Sequence, residues 1–175
     1  MPAQGLGERL SAEAFGQAER LPVRLVLDNI RSGQNVGACF RSADAFRIDG
    51  LDLCGITCHP PHRDILKSAL GASGHVPWNA HPETLSAVQH LQSQGWKVAA
   101  VEQAPKSVAL QEWKPTPGER WALVLGNEVR GVAPDVLEAC NLVVEMPQYG
   151  VKQSINVSVC AGVYLWHVAL HLRHS

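Results

Sequence analysis

The stretch LVLGNEVRGVAPDVLEACNLVVEMPQYGVKQSINVSV, residues 123–159, decides how this chain folds. It reads as a strand over Trp121 to Leu125, a polar glycine-containing turn at Gly126, Asn127, Glu128 and Gly131, and a short helix. A second strand follows over Leu142 to Met146, then a loop from Pro147 to Gln153 and a helix opening at Ser154. Two strands therefore each end in a polar loop. In open α/β sheets ligands sit in the crevice beyond the carboxyl ends of the strands, which makes these two loops the first candidates for a binding site. Gly126, Gly131 and Gly150 leave backbone N–H and C=O groups bare, while Asn127, Ser154, Asn156 and Ser158 add short polar side chains.

Upstream, VRLVLDNI at residues 23–30 is a continuous apolar run bounded by Pro22 and Asp28-Asn29, the pattern of a buried strand. Asn35 is placed to cap a helix on which Val36, Cys39, Phe40, Ala43 and Phe46 recur at helical spacing until Gly50. Leu51 to Ile56 gives the next strand, and the β-α-β unit so formed implies parallel pairing. Between Cys58 and Trp78 the pattern weakens to a short helical stretch, Asp64 to Leu70, and the small-residue run Gly71-Ala72-Ser73-Gly74. Pro82 to Gln94 reads as a helix, Lys97 to Val101 as a strand, and Glu102 to Arg120 as a long loop with one short strand near Val108 to Leu110. The final helix, Ser154 to about Leu172, is apolar on more than one face, which calls for a second subunit as its cover. The fold class is thus α/β, a mostly parallel sheet flanked by helices.

Composition bounds the function. A chain of 175 residues is one domain by size, with residues 1–20 as an N-terminal arm or helix and 21–175 as the folded unit. The first twenty residues lack a signal-peptide core, and no apolar run reaches membrane-spanning length. Five scattered cysteines suit a reducing cytoplasm better than a disulfide framework. With a net charge of −1, any nucleic-acid surface has to be a local basic patch. Cys54, Cys58, His59 and His62 match no common zinc spacing, and no metal is expected. His167, His171 and His174 fall at spacings of four and three, as a polar face at a helix end would. A Rossmann-type dinucleotide site is excluded because no GxGxxG follows the first strand.

Three motifs occur in order: NxGxxxR at Asn35, Gly37 and Arg41; GNExxG at Gly126, Asn127, Glu128 and Gly131; and MPxxGxxxSxNVSV from Met146 to Val159. Together they resemble the motifs of the SpoU (TrmH) family of RNA 2'-O-ribose methyltransferases, in the SPOUT superfamily. The likeness covers about residues 23–170, and KSALGASGHVPW, residues 67–78, is similar to the family's looser central stretch. Ile155 stands where leucine is usual in the family.

The resemblance implies an α/β knot, with the C-terminal part threaded as a deep trefoil, and a homodimer with sites at or near the interface. It implies S-adenosylmethionine as cofactor, held by Leu125, Gly126, Asn127, Glu128, Gly131, Met146, Gly150, Ser154, Ile155 and Asn156. It further implies methyl transfer to a ribose 2'-hydroxyl of RNA, tRNA first and rRNA second, with Arg41, Asn35, Ser154 and Asn156 as the catalytic set. A catalytically silent RNA-binding module on the same fold is the alternative from another class.

The residues fit these roles on physical grounds. Methyl transfer to a ribose hydroxyl needs the hydroxyl aligned, its proton removed and the adjacent phosphate held, and the planar fork of arginine grips phosphate bidentately. A neutral arginine at pH 7 costs on the order of 7 kcal/mol, so Arg41 is read as a phosphate anchor before a base. Asn35 orients Arg41 or the ribose. Ser154 serves either the site or the helix N-cap, and Asn156, one turn into a largely buried helix, needs hydrogen-bond partners from the ligand or the knot. For Glu128 a structural role, fixing its loop, ranks ahead of a catalytic one.

Overall fold

The computed structural model describes residues 11–152 and 154–173. Seven strands form one sheet, and every pairing is parallel. They are β1 (Leu21–Asp28), β2 (Ile48–Cys54), β3 (Trp78–His81), β4 (Lys97–Val101), β5 (Val108–Ala109), β6 (Trp121–Leu125) and β7 (Leu142–Glu145), in the order β3-β2-β1-β6-β4-β7-β5. The chain builds outward from β1 to β3, crosses to β4, and then inserts β6 between β1 and β4. Apolar runs such as VRLVLD and WALVL take these central places because both of their faces are covered.

The pleat divides the central residues between two cores. On one face Leu25, Leu27, Leu123 and Leu125 pack beneath α2 (Gly33–Phe46), α3 (Arg63–Ala69) and α6 (Val157–Arg173). On the other, Val26, Ala122, Val124 and Val98 meet α4 (Thr84–Ser93) and α5 (Pro134–Ala139). α3 lies close on α2 because Gly37 has no side chain: a Cβ there would run into the Ser68 hydroxyl and the Ile65 carbonyl. The registers Leu27 to Leu125, Val101 to Leu125 and Val101 to Val144 bring the carboxyl ends of β1, β6, β4 and β7 to one level. Loops leaving those four ends must converge.

Several boundaries differ from the sequence reading. α2 starts at Gly33, and its N-cap is Ser32, whose Oγ accepts from the Asn35 N–H at 3.3 Å, so Asn35 lies inside the first turn. That helix ends at Arg47, in the left-handed region at φ 50°, and Gly50 lies within β2. β3 has no counterpart in the sequence reading. α6 opens at Val157, three residues later than expected, and Asn156 stands before it as the cap. Asn156 is therefore exposed at a helix mouth, not buried within a helix. In the arm, Ser11 caps α1 (Ala12–Gln17), and Phe15 is buried edge-on against the His75 ring; residues 1–10 of the arm lie outside the described residues.

α6 is apolar around its circumference, as its sequence suggested. Its inner side carries Ala161, Tyr164, Leu165, Val168 and Ala169 into the core, and Tyr164 donates its hydroxyl to the Val144 carbonyl at 2.8 Å. The outer side presents Val159, Val163, Trp166 and Leu170 in one stripe, continued by Ile155, with Trp166 58% and Val159 56% exposed.

Candidate functional site

At the carboxyl ends of β4, β6 and β7 the loops enclose a cavity of about 770 Å³. Leu125, Gly126, Asn127, Glu128 and Gly131 line it from the β6 side, and Met146, Ser154, Ile155 and Asn156 from the segment between β7 and α6. Two glycines allow the loop to close on itself. A Cβ on Gly126 would collide with the Gly131 backbone, and Gly131 has φ +70° with the Glu102 carboxylate where its own Cβ would be. Asn127 clamps the loop from both ends. Its amide donates to the Asn29 carbonyl at 2.7 Å, while its Oδ1 accepts from the Val129 and Arg130 N–H groups at 3.0 and 3.1 Å.

A chain of polar contacts ties the three motif loops together. The Glu128 carboxylate accepts from the Arg31 N–H at 3.0 Å, the Ser32 N–H at 3.2 Å and the Asn35 side-chain amide at 3.1 Å. Asn35 Oδ1 in turn accepts from the Asn156 amide at 3.0 Å. Asn156 Oδ1 then accepts from the Ser158 N–H at 2.9 Å and the Ser158 hydroxyl at 2.6 Å, capping α6. Partial burial alone would raise the Glu128 pKa, but the donors from Arg31, Asn35 and Ser32 win and hold it below the usual carboxylate range. Glu128 thus acts on backbone and amide donors of its own chain, in line with the structural role read from the sequence.

Three groups of sequence-selected residues lie apart from this cavity. Gly150 is on the loop after β7 but does not line it. Asn35 touches it only through Glu128 and Asn156. Arg41 is exposed on the outward side of α2, on the stripe of Gln34, Ala38 and Ala45, and its side chain makes no hydrogen bond or ion pair with any described residue. Of the cysteine and histidine candidates, Cys54 is buried in β2, His59 stacks on Trp78 and His62 Nδ1 accepts from the Asp64 N–H. His167 turns inward, not to solvent: its Nε2 bonds the Trp113 carbonyl at 2.6 Å, and burial lowers its pKa. His174 lies outside the described residues.

The sequence reading missed Glu102, Gln103, Glu145 and Cys160, which also line the cavity. Glu102 Oε2 accepts from the Val132 N–H at 3.0 Å, bracing the glycine loop from β4. A glutamate directly after an apolar strand, as at AAVE, was the available signal. Also missed was a buried ion network on the opposite sheet face. Arg24 Nε donates to Asp52 at 2.7 Å and its terminal nitrogen to Asp49 at 2.7 Å, and Asp52 also takes Asn79 and His81. Burial opposes the Arg24 charge, but the two aspartates outweigh it and raise its pKa.

Comparison with known proteins places this architecture. The chain is 30% identical over 169 residues to the 23S rRNA (guanosine-2'-O-)-methyltransferase of Pseudomonas aeruginosa, covering 95% of this chain and 66% of that protein. It is 29% identical over 150 residues to the tRNA (guanosine(18)-2'-O)-methyltransferase of Borreliella burgdorferi, covering 86% of this chain and 67% of that one. The chain thus spans about two thirds of the length of these relatives. In fold it resembles the A. aeolicus TrmH/SpoU tRNA modifying enzyme, with a TM-score of 0.78 at 23% identity, covering 90% of this chain and 79% of that one. Residues 22–166 match the SpoU rRNA Methylase family, and with its three motifs joined around one strand-end cavity the chain belongs to that family.

Proposed function

We propose that this protein is an S-adenosylmethionine-dependent RNA 2'-O-methyltransferase with tRNA as its substrate and rRNA as the alternative. The observation that carries the proposal is the Glu128–Asn35–Asn156 chain, which couples the first motif to the two loops of the cavity. Family relatives are named for both substrates, the P. aeruginosa protein for rRNA and the B. burgdorferi protein for tRNA.

The cavity suits the cofactor in size, surface and charge. Leu125, Val132, Leu137 and Ile155 offer apolar walls for an adenine ring, and the bare backbone around Gly126 and Gly131 offers hydrogen-bonding groups for base and ribose. Glu102, Glu128 and Glu145 line it against a single arginine, Arg130. That excess of carboxylates favours a sulfonium cation and disfavours the pyrophosphate of a dinucleotide. When bound there, S-adenosylmethionine supplies an electrophilic methyl group. The remaining residues act on the RNA: Ser154 and Asn156 stand at the mouth of the cavity to position the ribose, and Asn35 holds Asn156 in place.

Arg41 is assigned to the phosphate beside the reacting ribose, where its fork lowers the cost of the developing alkoxide. Because Arg41 does not line the cavity of its own chain, a homodimer pairing the outer sides of α2 and α6 is part of the proposal, with Arg41 at the subunit boundary. The C-terminal segment from Met146 to α6 is assigned to a trefoil knot, and the protein to the cytoplasm, where its five free cysteines stay reduced.

The test is transfer of labelled methyl from S-adenosylmethionine to unmodified tRNA and rRNA, with wild type and Arg41→Lys compared across pH 6–10. Lysine keeps the charge and loses the fork, so turnover is expected to fall about a hundredfold while cofactor affinity holds. Wild-type rates in Arg41→Lys at every pH would remove Arg41 from the mechanism. Label on a base instead of a ribose would overturn the reaction assigned.

A further inference from the structure

We propose that RNA approaches the site over α3 and the loop before it, its phosphates held by Arg31, Arg63 and Lys67 and an unstacked base laid on His59. The inference rests on the reading of the protein as an RNA-modifying enzyme, and adds the surface on which the RNA lies.

The net charge of −1 hides an uneven distribution. Elsewhere on the molecule several cations are spent internally: Arg24 on Asp49 and Asp52, Lys97 on Glu119, Arg120 on the Trp96 ring and the Gln94 carbonyl. On the α2–α3 side the arrangement reverses. Here two carboxylates are engaged, Glu128 by donors of Arg31, Ser32 and Asn35 and Asp44 by His75 at 2.7 Å, which leaves Asp64 as the carboxylate among the cations. The cations are open. The side chains of Arg31, Arg41 and Lys67 are exposed and make no hydrogen bond or ion pair with a described residue, and that of Arg63 is 93% exposed with one loose contact, 3.5 Å to Asp64. Unpaired arginine and lysine beside satisfied carboxylates form a surface that attracts a polyanion and releases its counterions.

The arrangement is directional. Arg63 and Lys67 are one helical turn apart on the exposed side of α3. α3 is seated on α2 at Gly33 and Gly37, so its outer side adjoins the outward stripe of α2 that carries Arg41. Arg31 stands just before α2 with its backbone N–H fixed by Glu128, which lines the cavity. The cations therefore run from α3 toward both Arg41 and the cavity. In the loop before α3, exposed His59 lies parallel to Trp78, rings 5.5 Å apart at 16°. Trp78 backs the imidazole and leaves its other face open, and a flat ring in a basic surface stacks a splayed base whatever its identity.

The experiment measures binding of unmodified tRNA by filter retention from 50 to 300 mM salt, with wild type, the double variant Arg63→Glu/Lys67→Glu, and His59→Ala. Both side chains are exposed on α3 and line no part of the cavity, so the double variant keeps its fold and its affinity for S-adenosylmethionine. Its RNA affinity is expected to fall at least tenfold, with the slope of log Kd against log salt smaller by about 1 to 2. His59→Ala is expected to weaken binding about fivefold or more with the slope unchanged. Unchanged affinity and slope in the double variant, with wild type still binding RNA, would overturn this surface and leave the proposed reaction standing. Wild type that binds S-adenosylmethionine but no RNA at the lowest salt would overturn the RNA reading itself.

Discussion

Glu128 concentrates more of the site's organisation than any residue that would touch substrate, because three donors from Arg31, Ser32 and the first-motif Asn35 end on one carboxylate. Replacing it with glutamine leaves one acceptor oxygen and sets an NH2 group against N–H donors. Since the group is largely exposed, the cost in stability is about 1 kcal/mol. The local effect is larger: hydrogen exchange should show faster exchange at the Arg31 and Ser32 amides in Glu128→Gln. The pKa of Glu128 is depressed from its ordinary 4.5, so its contribution is complete above that pH and is lost as pH falls through the lowered value. His167 adds a second acid-side loss that begins below its ordinary 6.5, and the wild-type-minus-variant difference separates the two. Amide protection equal to wild type at pH 7 and pH 4 would remove Glu128 from the clasp. The polar motif residues were legible in sequence because short amides and glycines between apolar strands are unusual. Glu102 was not, because its contact with Val132 joins residues thirty positions apart and leaves no periodic trace.

Among the elements, legibility followed apolar pattern. β1, β4 and β6 are runs buried on both faces and were read nearly to their ends. β3 is an edge strand of four residues, half-buried at its ends and exposed at Asn79 and Ala80, and offers neither a run nor an alternation. The opening of α6 was misread because Ser154 and Asn156 are both good caps, and only the Asn156 bonds to Ser158 and Val159 decide between them. The all-round apolar character of α6, by contrast, was a correct sign of a face left uncovered in the single chain. That stripe bears on the proposed dimer. Light scattering of the wild type should give twice 18.9 kDa, and Trp166→Glu, which would bury an unpaired charge, should give a folded monomer or unfold the chain. A wild-type monomer at micromolar concentration, or a dimer untouched by Trp166→Glu, would contradict the assigned interface.

At the scale of the whole molecule, one topological event makes the site. Inserting β6 between β1 and β4 levels four strand ends, and the loops that leave them hold a cavity whose lining carries three carboxylates and one arginine. The class of sheet followed from sequence periodicity, while the order of its strands did not, since pairing between distant segments is decided by packing across the whole core. The central claim is that this cavity takes S-adenosylmethionine, and its charge sets the sharpest contrast with the commonest other occupant of a parallel-sheet crevice. Isothermal calorimetry of the purified protein with S-adenosylmethionine, its demethylated product and NAD tests it directly. The account predicts one site for either adenosyl ligand, weakened by about 1–3 kcal/mol in Asn156→Ala, and no heat with NAD. Tight binding of NAD with neither adenosyl ligand bound would contradict it.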